Sequence, residues 1–297
     1  MSSEPIAAAG VDTAAGLHGS AGEWFRQVGG VLRLELKKTF LSKRGWWIYC
    51  LALGPFAIIV LHWLIELQRS RGAFGGRHSL GEDSIAFAGI FLLYYLRAGL
   101  FFGCMGIFAN LFRAEMLEKT LHYYFLTPLR REVLVAGKYL AGLIVALVLW
   151  VGSVAGSFLL IGRHFGAAWS EYLWHGPGAS QLGSYMLVTA LACVGYGAVF
   201  LMCGILFKNP FIAAAIVWVW EGINPFLPSM LKKISVLFYL KSLCPVEVPV
   251  PPPFNVMVTE TDPPPFWIAV PGLLAVAAIL LIYSAISAKN AEISYGE

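Results

Sequence analysis

The sequence predicts an all-α integral membrane protein with six transmembrane helices. Two observations lead to this fold class. The 297-residue chain is 58% hydrophobic and only 13% charged, and it contains six apolar runs long enough, or nearly so, to cross a bilayer. Soluble domains carry about 25% charged residues, so the composition excludes an ordinary soluble domain. No long polar stretch separates the runs, which indicates one membrane domain over residues 46–288.

Each apolar run is close to the length of about 20 helical residues that a hydrocarbon core of about 30 Å requires. The predicted spans are Trp46–Ile65, Ile85–Phe112, Tyr139–Gly162, Leu182–Phe207, Pro210–Leu231 and Phe266–Ala288. Basic residues favour a cytoplasmic location for both termini. That orientation places 13 Lys and Arg residues inside and seven outside, with Arg97 within a span.

Three segments flank the membrane domain. Residues 1–21 lack a basic region and a continuous apolar region, so we expect a disordered cytoplasmic tail rather than a secretory signal. Residues 22–45 form a predicted amphipathic helix in the cytoplasmic interface, either a lipid anchor or a docking element. Residues 289–297 form the cytoplasmic C-terminus. The apolar positions of the predicted amphipathic helix are Phe25, Val28, Leu32, Leu36 and Phe40, with Arg26, Arg33 and Lys37 on the opposite side.

A charged segment at 113–138 separates the second and third predicted spans. Leu117, Leu121 and Tyr124 have the i, i+4, i+7 spacing of one apolar stripe on a short helix. Thr127 and Pro128 then supply a helix cap followed by proline at the first helical position, so a second helix is predicted to start there. The segment is therefore predicted to be a helix–break–helix in the cytosol.

This segment resembles the cytosolic loop of ABC-2 type transporter permeases, the membrane subunits of type V ABC exporters. The family pattern is approximately Glu-x-x-(Glu/Arg)-Gly-Thr-Leu, a few apolar residues, Thr-Pro, a basic residue and Gly-Lys. A lysine replaces the glycine before the threonine here. The matching residues are Glu115, Glu118, Lys119, Thr120, Leu121, Leu126, Thr127, Pro128, Arg130, Arg131, Gly137 and Lys138. The layout of six spans behind an amphipathic helix is also similar to that family.

The resemblance implies that the segment is a coupling helix, seated in a groove of a separate ABC ATPase subunit that binds ATP and Mg. The chain has no GxxxxGK[ST] phosphate loop, so we expect no catalytic residue and no cofactor in it. The implied ATPase-coupling residues are Glu115, Glu118, Lys119, Thr120, Leu121, Tyr124, Thr127, Pro128 and Arg130. The alternative is an interfacial hairpin whose charges only obey the positive-inside rule. Its two acidic residues argue against that alternative, because orientation needs only Lys and Arg.

The same resemblance implies a second permease copy or a paralogue as partner, a dimer working with two ATPases in the bilayer of a bacterial inner membrane. No nucleic-acid partner is expected. Gly99-x-x-x-Gly103 and Gly152-x-x-x-Gly156 let helices approach closely. Packing within one subunit is their common outcome, and a dimer seam is the family expectation.

Two charged residues fall within predicted spans, Arg97 and Glu221, at similar depths. Either they pair near a translocation path, or Arg97 reaches the outer headgroups and Glu221 faces external water. Pro225 interrupts the fifth span, so re-entrant external helices are predicted after it. The candidate path or gate residues are Arg97, Trp218, Glu221, Asn224, Pro225 and Phe226. An aromatic belt at the interface is the alternative for the aromatic residues.

The remaining sequence features predict neither a catalytic site nor a metal site. His62, His78, His122, His164 and His175 are scattered along the chain, and no metal site is expected. The five cysteines lack CxxC spacing. Eight of the 21 residues in Pro245–Pro265 are proline, which favours an extended external loop that serves as a spacer or as a docking strand for an extracytoplasmic protein.

The predicted function is ATP-driven substrate export. Two alternatives stay open. One is a non-transporting subunit that transmits ATP-driven motion to an external partner, which the proline-rich loop favours. The other is an ion-coupled secondary transporter, for which the chain offers one intramembrane acid, one base and no convincing internal repeat. The transported substrate is not predicted.

Overall fold

The computed structural model describes residues 21–40, 45–69, 79–117, 131–207, 209–233, 235–246, 248 and 264–290. Over these residues the chain is all-helical, with 91% helix and no strand. Half of the charged segment, residues 118–130, and most of the proline-rich loop lie outside the described residues. So do the predicted disordered tail, except for its last residue, and most of the predicted C-terminal tail.

Twelve α-helices lie within the described residues. They are α1 (Ala21–Phe40), α2 (Trp46–Arg69), α3 (Leu80–Ile90), α4 (Leu100–Cys104), α5 (Asn110–Leu117), α6 (Arg131–Ile161), α7 (Ala167–Trp174), α8 (Gly178–Leu206), α9 (Pro210–Ile223), α10 (Ser229–Lys232), α11 (Val236–Ser242) and α12 (Phe266–Asn290). Two π-helical stretches, Phe91–Gly99 and Met105–Ala109, join α3, α4 and α5 into one continuous rod, the α3–α5 rod.

Five helical stretches of the described residues are long and apolar enough to cross a membrane. They are Trp46–Gln68, Leu80–Arg113, Glu132–Phe165, Gly178–Leu206 and Phe266–Ala288. Five of the six predicted spans are thereby confirmed as apolar helices of sufficient length, which indicates a multi-pass membrane protein.

The remaining predicted span, Pro210–Leu231, which is the fifth along the chain, is shorter than expected. Helix α9 ends at Ile223 after 14 residues, and a 3₁₀ turn, Asn224–Phe226, follows it. The physical reason is Pro225, which has no N–H to donate and cannot continue the α-helical ladder. Helices α10 and α11 come next as separate short elements, so the chain breaks where the proline predicted a break.

Helix α8 lies at the centre of the bundle. It packs against α6, α12 and the α3–α5 rod, and 67% of its apolar stretch is buried inside the chain, more than in any of the other four stretches. Small residues allow this close packing. A Cβ at Gly197 would lie 2.7 Å from the Phe108 ring, and one at Gly204 would lie 2.6 Å from the Ala109 carbonyl oxygen.

The first small-residue pair of the sequence serves packing within the subunit. A Cβ on Gly103 would lie 2.2 Å from the Trp150 indole, and one on Gly99 would lie 2.8 Å from it. The fully buried Trp150 therefore fills the groove that these two glycines leave on the α3–α5 rod. Gly152, in contrast, is exposed and has open space where its Cβ would be.

We predict that Gly103→Ala destabilises the protein by about 1–3 kcal/mol, because the new methyl group must displace Trp150 in a packed core. Gly152→Ala is the matched control and should melt like the native chain. Thermal unfolding in detergent, with Trp150→Leu added to each background, checks the mechanism. The clash requires that Trp150→Leu be less costly in the Gly103→Ala variant than in the native chain. If Trp150→Leu destabilises both chains by the same amount, the clash is contradicted.

Candidate functional site

The base of the charged segment is closed by one buried lysine. Lys138, near the start of α6, donates from its Nζ to the carbonyl oxygen of Leu111 in α5 at 2.9 Å. The same Nζ donates to the Glu35 Oε1 of α1 at 2.7 Å. The Lys138 and Glu35 side chains are 0% and 2% exposed. One ammonium group therefore holds α1, the end of the second span and the start of the third at a single point, which we call the loop-base joint.

The local sequence explains how α1 comes so close to α6. Val28, Val31 and Glu35 are buried and share one face of α1. They face Gly137, where an added Cβ would lie 2.8 Å from a Val31 side-chain atom. Because glycine leaves this space open, the α1 backbone approaches α6 closely enough for Glu35 to reach Lys138.

The joint neutralises a charge that the apolar surroundings would otherwise disfavour. An isolated buried ammonium costs several kcal/mol of desolvation, which only a close counter-ion and further hydrogen bonds offset. Glu35 supplies the counter-ion and Leu111 supplies a carbonyl. The Phe112 ring adds a face whose centroid is 5.3 Å from the Nζ.

Most of the predicted ATPase-coupling residues lie outside the described residues. Glu115 belongs to α5. The others fall in the segment 118–130, which the structure does not describe, and they keep the status of predictions: Glu118, Lys119, Thr120, Leu121, Tyr124, Thr127, Pro128 and Arg130. The structure thus describes the base of the loop but not its tip.

Sequence reasoning missed Glu35. A signal was present, because Glu35 follows Val28 and Val31 at helical spacing and places a carboxylate on the apolar side of the helix. It also treated Lys138 as a charge at the cytoplasmic boundary, ahead of a third span that started at Tyr139. Helix α6 starts by Arg131, and Lys138 is buried inside the bundle.

Removing either partner of the joint should be costly. We expect Glu35→Gln and Lys138→Met each to destabilise the protein by about 3–5 kcal/mol, because each leaves the other group buried with its partner changed or lost. The double variant Glu35→Leu with Lys138→Met should recover most of the loss. Denaturant unfolding in detergent measures the cycle, with the exposed Arg33→Ala as control. Additive losses would contradict a joint that acts as one unit.

The second group of predicted residues surrounds the break after α9. Glu221 is 5% exposed, and its carboxylate accepts hydrogen bonds from the Ser235 hydroxyl and from the backbone N–H groups of Val236 (3.0 Å) and Leu237 (3.3 Å). These groups form the N-terminus of α11, where a negative charge is favoured. Glu221 therefore fastens α11 to the end of α9, and sequence reasoning missed this role.

Arg97 approaches the same region without joining Glu221 in an ion pair among the described residues. One of its guanidinium nitrogens is 3.4 Å from the position that a Cβ would take at Gly222, and the arginine itself is exposed. Lys241 in α11 lies outside the five spanning stretches. Its pKa is lowered from the ordinary value, first by partial desolvation and second by the positive charge of Arg97.

The other candidate path residues divide into buried and exposed ones. Asn224 is buried and donates its side-chain amide to the Lys232 carbonyl oxygen at 3.3 Å, which holds α10 against the 3₁₀ turn. Trp218 and Phe226 are 42% and 44% exposed, and Pro225 is half-buried in the turn. The structure brings Arg97, Glu221 and Asn224 to one end of α9, and their role in a translocation path stays a prediction.

Glu221→Gln should loosen α11 and leave the rest of the bundle folded. The amide keeps the shape of the side chain but loses the negative charge that the α11 N-terminus stabilises. Hydrogen bonds to a charged group contribute about 1.5–3 kcal/mol to stability. Hydrogen exchange measured by mass spectrometry should be at least about tenfold faster over residues 235–242. Glu171→Gln, at an exposed position of α7, is the control. Unchanged exchange in α11 would show that Glu221 does not hold it.

No protein-family model matches the chain, and no curated protein matches it either.

Proposed function

We propose that this chain is the membrane subunit of an ATP-driven exporter of the ABC-2 type, in which a separate ATPase drives substrate export. The single observation that carries the proposal is the loop-base joint. It lies at the root of the segment whose sequence resembles a coupling helix, and it ties both ends of that segment to α1. A force on the loop is thereby delivered to three helices at once.

The proposed mechanism uses the length of α6. Its 31 residues span about 46 Å at 1.5 Å per residue, more than the hydrocarbon core. Lys138 lies in the N-terminal part of α6, so ATP-driven movement of the charged segment displaces the N-terminal end of this helix. Because α6 is one continuous helix that packs on α2, α8 and α12, this displacement reaches the far side of the membrane.

The proposed topology has six crossings with both termini in the cytoplasm. Helix α9 is about 21 Å long by its 14 residues, and the 3₁₀ turn adds about 6 Å. This nearly matches a core of about 30 Å, so we assign the sixth crossing to α9 and its 3₁₀ turn. Helices α10 and α11 then form the re-entrant external segment, fastened by Glu221, that closes the outer end of the path.

The proposed partners follow from this assignment. An ABC ATPase subunit binds ATP and Mg and docks on the charged segment. A second permease copy or a paralogue completes a dimer in the bilayer. If the complex transmits motion instead of exporting a substrate, an extracytoplasmic protein docks at the proline-rich loop. The ion-coupled alternative is less favoured, because the Glu221 carboxylate that it would use is engaged with three donors at the α11 N-terminus.

The proposal is tested by purifying the chain from its native membranes in mild detergent. A stoichiometric ATPase should co-purify with the native chain and be lost from the variant Glu118→Ala with Leu121→Ala, since interface anchors of this kind carry most of the binding energy. Glu171→Ala, in an exposed position of α7, is the control and should retain the ATPase.

Absence of an ATPase from the native chain would overturn the proposal. A further variant separates docking from transmission. Glu35→Leu with Lys138→Met should still bind the ATPase, because the loop sequence is intact, but should lose the coupling between ATP hydrolysis and the movement of α6. Site-specific spin labels at the C-terminal ends of α6 and α2, away from the loop-base joint, measure this movement.

A further inference from the structure

Two histidines and an aspartate meet at the end of the bundle opposite the loop-base joint. His62 comes from α2, Asp83 from the first turn of α3, and His164 from the 3₁₀ turn Arg163–Phe165 that follows α6. The Asp83 Oδ2 lies 3.5 Å from His62 Nε2 and 3.6 Å from His164 Nε2. The three ligand-type atoms all lie within 4.8 Å of one another. His62 and His164 are scattered in the sequence but are neighbours in the fold, with ring centroids 5.8 Å apart.

The surrounding structure positions each side chain. The Ser79 hydroxyl accepts from the Glu82 amide and the Glu82 carboxylate accepts from the Ser79 amide, so a capping box fixes the start of α3 and therefore Asp83. After α6, Gly162 packs under the Trp169 ring, where a Cβ would come within 2.2 Å. Gly166 then turns the chain at a φ of 61°, which glycine adopts without strain. These contacts hold His164 toward Asp83.

The His164 ring is oriented for ligation. Its Nδ1 lies 3.0 Å from the carbonyl oxygen of Ile161. A carbonyl oxygen only accepts, so Nδ1 carries a proton, and in the neutral form of the ring Nε2 presents a lone pair toward Asp83. A backbone carbonyl on the second ring nitrogen is the usual outer-shell arrangement of metal-binding histidines.

One carboxylate oxygen of the buried aspartate, Oδ2, has no hydrogen-bond partner among the described residues. Asp83 is 4% exposed, and neither its Oδ2 nor the His164 Nε2 has a hydrogen-bond partner among the described residues. Separations of 3.5 and 3.6 Å exceed the usual 2.7–3.2 Å of an N–H···O hydrogen bond. With the neutral form of His164, two atoms that carry lone pairs face each other at a buried position, and a cation bound between them would satisfy both.

Two of the three ligand separations are close to those of a tetrahedral metal site. With Zn–N and Zn–O bonds of about 2.0–2.1 Å, tetrahedral ligands are about 3.3 Å apart. An octahedral site with bonds of similar length places neighbouring ligands only about 3 Å apart. The distances of 3.5 and 3.6 Å are closer to the tetrahedral value and need only a small contraction on binding.

We propose that His62 Nε2, Asp83 Oδ2 and His164 Nε2 bind a divalent transition metal ion, for which Zn²⁺ fits best. Imidazole and carboxylate together suit this ion, and three protein ligands leave a fourth position for another donor. The ion crosslinks the ends of the first three spanning helices on the side of the membrane opposite the loop-base joint. The inference is independent of the exporter proposal, because it rests on these side chains alone.

The test uses the full chain in detergent with an affinity tag that contains no histidine, stripped with a chelator. Co²⁺ is the titrated probe, since tetrahedral Co²⁺ absorbs in the visible range. We expect saturation at one Co²⁺ per chain, displaced by Zn²⁺. Asp83→Asn and His164→Gln should each weaken Co²⁺ binding at least about tenfold. Tenfold is the lower limit of the affinity loss that follows when an outer-shell partner of a metal ligand is mutated. The exposed His175→Gln should bind like the native chain.

A fourth variant keeps the test decisive if a substitution impairs folding. His164→Cys places a thiolate in the site, so the Co²⁺ complex should gain a sulfur-to-metal charge-transfer band that is absent from the native complex. No saturable Co²⁺ or Zn²⁺ binding by the native chain overturns the proposal. So does native affinity in both Asp83→Asn and His164→Gln, or Co²⁺ binding by the cysteine variant without the new band. Co-purification of an ATPase has no bearing on these outcomes.

Discussion

The structure depends on the need to neutralise one buried ammonium group. Lys138 has no access to water, so its charge must be met within the protein by the Glu35 carboxylate and the Leu111 carbonyl. Each partner belongs to a different helix. Satisfying the charge therefore fixes the register of α1 on α6 and closes the root of the charged segment. A surface ion pair would impose no such constraint, because water could replace either partner.

Hydropathy alone located the five helical stretches that are long and apolar enough to cross a membrane, because a stretch of about 20 apolar residues has few other stable environments. Boundaries were less predictable. Helix α3 starts at Leu80, five residues before the predicted span, because a capping box supplies its first hydrogen bonds. The short α9 shows the converse effect. Its composition is apolar enough for a span, but Pro225 limits its length whatever the composition.

Side-chain partnerships were beyond the sequence, since they depend on helix rotation and crossing. Equal depth in the membrane made Arg97 and Glu221 a plausible pair. The Glu221 carboxylate instead turns to the backbone N–H groups of α11, donors that any sequence contains and no residue pattern marks. The same limit applies to His62, Asp83 and His164, which are separated by up to 102 positions and meet only because three helices converge.

The two polar clusters lie at opposite ends of α6, and the helix between them is held by contacts of a different kind. Trp150 fills the groove of Gly99 and Gly103, and its apolar contacts carry no direction of their own. Both the dispersion contacts of the packed middle and the buried ion pair at the N-terminal end of α6 have a narrow range of acceptable distances. The proposed movement of α6 would therefore repack its middle in a discrete step and keep its N-terminal end fixed to α1. The geometry of His164 at its far end would then determine how far the helix can move.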